Sequence, residues 1–71
     1  MSQQTILIKV NGEDYHIASV ARVSDLVAKL ALTPERLAIE LKLDILPRAK
    51  WNETVLHDGD KLELVHFVGG G

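Results

Sequence analysis

Hydrophobic and polar residues change their spacing several times along this chain, and each change marks an element. Ile6, Ile8 and Val10 alternate with Leu7 and Lys9, the two-residue period of a strand. Asn11-Gly12 follows, and because both residue types accept positive φ the pair signals a tight hairpin. Tyr15 and Ile17 fall on the expected return strand. The period then changes. Val23, Leu26, Val27 and Leu30 recur at i, i+3, i+4 and i+7, one apolar face of a helix. Ser24 is expected to cap its N-terminus, and Asp25 suits the positive end of the dipole and stands four residues before Lys29. Thr33-Pro34 should stop this helix near Leu32.

Strand spacing returns in Leu37, Ile39, Leu41 and Leu43, which alternate with Ala38, Glu40 and Lys42. This pattern predicts one strand running to Leu43, with a buried and a wetter face. Pro47 fits the first position of a short helical turn reaching about Trp51. A brief extended piece over residues 54–56 and a turn at His57-Asp58-Gly59-Asp60 come next. The last strand is expected over residues 61–68. It places Leu62, Leu64, His66 and Val68 on one side and Glu63, Val65 and Phe67 on the other.

Hairpin, helix, strand, short connector and terminal strand make an α+β order, one main helix across one face of a mixed sheet. A hairpin and two further strands around a single helix suggest the ubiquitin-like β-grasp. There the terminal strand pairs beside the first and releases the C-terminus freely. The expected division is a β-grasp domain over residues 1–68 and a flexible Gly-Gly-Gly tail over residues 69–71.

Composition narrows the function. With 71 residues there is room for one small core. Apolar residues make up 46% and aromatics 4%, so Leu, Ile, Val and Ala must build it. The absence of cysteine excludes a disulfide scaffold, a zinc-thiolate site and a cysteine nucleophile. The formal charge is −2 with scattered Lys and Arg, which argues against nucleic-acid binding. No apolar run approaches the roughly 20 residues of a membrane span, and the N-terminus lacks a signal-peptide pattern. A soluble, cytoplasmic protein without membrane attachment is expected.

Side-chain chemistry is sparse. His16, His57 and His66 have no ligand partners at helical spacing, so no metal is expected. Asp58 and Asp60 around Gly59 read as a turn rather than a calcium site, which needs six or more oxygens. Ser2, Ser19 and Ser24 lack a hydrolase elbow, and no helix follows the glycines to receive a phosphate. An enzyme with its own active site is not expected, nor a cofactor bound by this chain. Gly69-Gly70-Gly71 remains. Taken alone it is equally an ordinary frayed end and a side-chain-free thread of about 10 Å, able to enter a narrow site and offer a carboxylate. Val65, Phe67 and Leu7 read either as an exposed apolar docking patch just upstream of that thread or as ordinary packing against the connector.

Three segments carry a resemblance: Ala38-Ile39-Glu40-Leu41, then Ile45-Leu46-Pro47-Arg48-Ala49-Lys50-Trp51, then Val55 through Gly71 with its Asp58-Gly59-Asp60 turn and Val68-Gly69-Gly70 ending. Together they resemble the ThiS family of thiamine-biosynthesis sulfur carriers, specifically over the C-terminal half and in pattern over the rest. One departure is Lys42-Leu43 where the family often has Asn-Gly after the third strand, and the strand is expected to run longer there. The resemblance implies that an E1-like, ThiF-like adenylyltransferase activates the Gly71 carboxylate with ATP and magnesium. A persulfide donor then supplies sulfur to give a thiocarboxylate, and a ThiG-like thiazole synthase receives it. Gly69 and Gly70 would thread into those partners. Rival readings are the small subunit of molybdopterin synthase, a sulfur carrier of another pathway, and a ubiquitin-like protein modifier joined through Gly71 to lysine. A plain β-grasp interaction module with an inert tail is a further one.

Overall fold

The computed structural model describes residues 4–67. Strands β1 (Thr5–Val10) and β2 (Glu13–Ala18) precede helix α1 (Val23–Lys29), and β3 (Leu37–Leu41), β4 (Asp44–Leu46) and β5 (Lys61–His66) follow. Single 3₁₀ segments at Pro34–Arg36 and Arg48–Glu53 lie between them. The five strands form one mixed sheet in the order β2-β1-β5-β3-β4. β5 is parallel to β1 and antiparallel to β3. The last strand of the chain is therefore the middle strand of the sheet, the β-grasp arrangement that the sequence pattern suggested.

Alternation decides what each strand buries. Ile8 and Val10 of β1, Ile17 of β2, Leu37 and Ile39 of β3 and Leu62 of β5 face inward. They meet Val23, Leu26 and Val27 of α1, with Trp51 and Leu56 of the connector closing the side. Burying each large aliphatic side chain contributes about 1.5–3 kcal/mol. The connector is tied to the start of α1 by backbone bonds from Val23 N–H to Thr54 O and from Leu56 N–H to Ala21 O, each 2.9 Å. Trp51 satisfies its indole N–H on Leu46 O at 3.1 Å.

Four local expectations change. Helix α1 stops at Lys29 rather than near Leu32, because Ala31 adopts φ 56. Ala31 N–H then reaches Ala28 O and Leu32 N–H reaches Val27 O, the two bonds of a Schellman cap, with Leu32 packed back on the core. Ser24 is not the cap. Arg22 occupies that position and its N–H donates to Asp25 Oδ2 at 2.8 Å, while Ser24 Oγ bonds Asn52 Oδ1 at 3.0 Å.

The third strand does not run to Leu43. It turns at Lys42-Leu43, whose φ values of 54 and 72 have the signs of a type I′ turn. An unforeseen strand, β4, then pairs back on β3, with Leu41 opposite Asp44. Asn11-Gly12, at φ 51 and 82, makes the same kind of turn where it was expected. Finally, β5 ends at His66. Val68 and the glycine tail lie outside the described residues.

Candidate functional site

The tail-proximal end of β5 is the candidate site, and its rigidity follows from its place in the sheet. At Leu62 the strand is flanked by β1 on one side and β3 on the other, and from there to His66 it stays paired with β3. Among the described residues its last backbone anchor is the bond from Phe67 N–H to Arg36 O, 2.7 Å. The chain is thus held in the sheet up to the residue preceding Val68-Gly69-Gly70-Gly71.

Side chains here divide by face. Leu62 is buried and Leu64 half-buried toward the helix, whereas Val65 and Phe67, on the outer face, are each 55% exposed. The connector does not cover this pair. Leu7 shares the outer face and is 38% exposed, but it does not join them. The parallel register sets Lys9 beside Lys61, and Gly59 N–H donates to Leu7 O at 2.8 Å. Leu7 is therefore level with Gly59, six residues before Val65, or about 20 Å along the strand. The expected three-residue patch is an apolar pair at the tail end and a separate leucine at the other.

Between them the outer face is charged. Glu40 stands directly opposite Glu63, with Ile45 of β4 opposite Glu40 on its other side. Lys9, Lys42 and Lys61 line an open groove of about 580 Å³ together with these two glutamates and Leu43. Its charges are of both signs. Ile45 is 66% and Leu43 90% exposed. The unbroken alternation hides both as surface residues, since it continues β3 through Leu43 and leaves no turn before β4. The triplet Asp44-Ile45-Leu46 before Pro47 was the available signal.

Asp58 and Asp60 have structural partners. Asp58 Oδ1 accepts Leu7 N–H and Asp60 Oδ2 accepts His57 N–H, both at 2.8 Å. Asp60 is 4% exposed and also lies 3.6 Å from Lys42 Nζ. The DGD tract is a turn in which the Asp58 carboxylate ties the loop to β1 and the Asp60 carboxylate closes the loop on His57. No group of three or more metal-ligating side chains occurs among the described residues. No helix of the described residues is long and apolar enough to cross a membrane.

Comparison with known proteins agrees with this geometry. The ThiS family model matches residues 8–71. The sulfur carrier protein ThiS of Bacillus subtilis is 32% identical over 66 residues, covering 92% of this chain and all of that one. A thiazole synthase of Paramagnetospirillum magneticum is 36% identical over 62 residues, 87% of this chain but only 19% of the synthase. The chain thus spans about a fifth of the thiazole synthase it matches. Among solved structures, the crystal structure of the thiamine biosynthesis protein ThiS from Geobacter metallireducens superposes with a TM-score of 0.80. Its sequence identity is 30%, covering 93% of this chain and 100% of that one.

Proposed function

Because this chain belongs to the ThiS family, a family of sulfur carriers rather than enzymes, we propose that it carries sulfur as a thiocarboxylate on Gly71 for thiazole formation in thiamine biosynthesis. An E1-like adenylyltransferase of the ThiF type would use ATP and magnesium in its own site. The Gly71 carboxylate attacks the α-phosphorus and pyrophosphate leaves, which turns a poor electrophile into an acyl adenylate. A persulfide sulfur displaces AMP, and cleavage of the sulfur–sulfur bond by a second thiol leaves one sulfur on the acyl carbon. A thiazole synthase of the ThiG type then accepts it. Its likeness to part of a thiazole synthase chain supports that last partner.

The observation that carries this reading is the Phe67-to-Arg36 bond at the end of the central strand. A rigid root lets a partner gauge the distance to a side-chain-free thread. Gly69 and Gly70 serve as that thread, since residues without Cβ atoms pass through a channel too narrow for others. Val65 and Phe67 supply an apolar docking area beside the root, and Leu7 a separate contact on the same face.

The test is incubation of the full chain with the ThiF-like adenylyltransferase of its host, ATP, magnesium and a persulfide donor, followed by intact-mass analysis. Exchange of one oxygen for sulfur at Gly71, discharged by thiazole synthase, is the expected result. An unchanged terminus with no pyrophosphate released would refute carriage. Conjugation to lysines would instead mark a protein modifier, and discharge only by molybdopterin synthase would reassign the pathway.

A further inference from the structure

Backbone parity determines which way each group of β5 points. Lys42 N–H donates to Lys61 O at 3.2 Å and Phe67 N–H to Arg36 O at 2.7 Å. Odd-numbered residues of β5 therefore bond to β3, and even-numbered residues turn their N–H and C=O toward the β1 side. There Asn11 N–H donates to Leu62 O at 2.9 Å. β1 ends at Val10, and the side chain of Asn11 takes over. Its Oδ1 accepts Leu64 N–H at 2.7 Å and its Nδ2 donates to Leu64 O at 3.1 Å. One primary amide thus supplies the donor and acceptor that a strand residue would have offered. The next even-numbered residue, His66, is exposed. Among the described residues no group bonds its N–H or C=O.

We propose that the open His66 edge receives an extended backbone segment of the activating enzyme as an added strand, with Asn11 as the stop that fixes its register. The inference rests on the carrier reading above. A donor and an acceptor pointing out of the same strand edge are complementary to another backbone, the basis of recognition by strand addition. Asn11 closes the neighbouring position, so an incoming strand cannot slide toward β1. Val65 and Phe67 flank this edge on the outer face, so strand pairing and apolar docking are continuous.

Amide hydrogen exchange of the full chain, alone and with the ThiF-like adenylyltransferase, tests the proposal. The His66 amide should exchange freely alone and be protected in the complex, while the Leu64 amide, already bonded to Asn11, changes little. His66→Pro removes the outward N–H without taking a bond from the β3 ladder. His66→Ala removes only the side chain, so the ratio of the two affinities reports what the proline ring changes at the backbone, the lost N–H and the blocked edge together. H66P should bind about tenfold more weakly than H66A, the scale of one hydrogen bond removed at an interface.

Equal binding by the two variants, or an unprotected His66 amide in the complex, overturns the proposal. So does protection that grows with the concentration of the chain alone, since a second copy would then be the occupant. If H66P fails to fold, the exchange measurement on the wild-type complex decides. Wild-type adenylation with equal variant affinities removes only this inference; absence of any adenylation removes the carrier reading as well.

Discussion

Replacing Leu43 with glycine is expected to stabilise the domain. Leu43 holds φ 72 in the two-residue turn between β3 and β4, a left-handed conformation that costs a residue with a Cβ about 1–2 kcal/mol. Its side chain is 90% exposed, so almost no burial is lost when it is removed. Glycine brings an opposing cost of about 0.5–1 kcal/mol in backbone entropy. The net gain is about 0.5–1 kcal/mol, or about 4 °C in melting temperature for a domain of this size. Lys42 is left in place because its ammonium lies 3.6 Å from the buried Asp60 carboxylate. Thermal melting by circular dichroism and a urea titration read the effect, with an unchanged m-value showing that the same surface is exposed on unfolding. A midpoint that stays or falls would refute the reasoning, since it would place the Leu43 side chain in a stabilising contact or remove the strain from this turn.

Ala31→Gly should act in the same way, by about 0.5–1 kcal/mol in urea, because Ala31 stands at φ 56 in the cap of α1 where glycine is the usual residue. Leu56→Ala should cost about 2–5 kcal/mol, a large part of a small domain's stability, since Leu56 is 1% exposed in the core; its melting curve measures the loss. Gly59→Ala should destabilise by about 1 kcal/mol through backbone conformation alone, because at φ +88 an added Cβ would meet no atom within 4 Å. Deleting Gly71 should leave the melting temperature unchanged and abolish sulfur loading, and a truncated chain that still gains sulfur by mass would exclude the terminal-carboxylate mechanism.

Much of this was legible in the sequence because local chemistry and tertiary structure agree. Asn11-Gly12 suits the turn it makes, and Val23, Leu26 and Val27 are the buried residues of α1. The misreadings arose where they disagree. Lys and Leu carry no signal for positive φ, so the Lys42-Leu43 turn was hidden inside an unbroken alternation and β4 vanished with it. Pairing of β3 with β4 imposes a conformation that neither turn residue prefers. The helix ended early for the same kind of reason, with alanine in a glycine conformation. At the candidate site, the exposed face of β5 was readable from parity alone. The distance from Leu7 to Val65 was not, because it depends on a register between strands 52 positions apart. The second use of Asn11, as a surrogate strand, likewise needs Leu64 beside it.

The position of β5 also orders events in time. Lys61–His66 is the last strand made and the one that joins the β1–β2 hairpin to the β3–β4 hairpin. Until it has emerged from the ribosome the two hairpins have no common neighbour, and β1 must find a partner 52 positions later, at Lys61 opposite Lys9. Pairings of that separation are slow to form. A chain whose synthesis aborts before Lys61 therefore has no sheet centre. Assembly of the sheet thus doubles as a length check, joining the two hairpins only in chains that extend through β5.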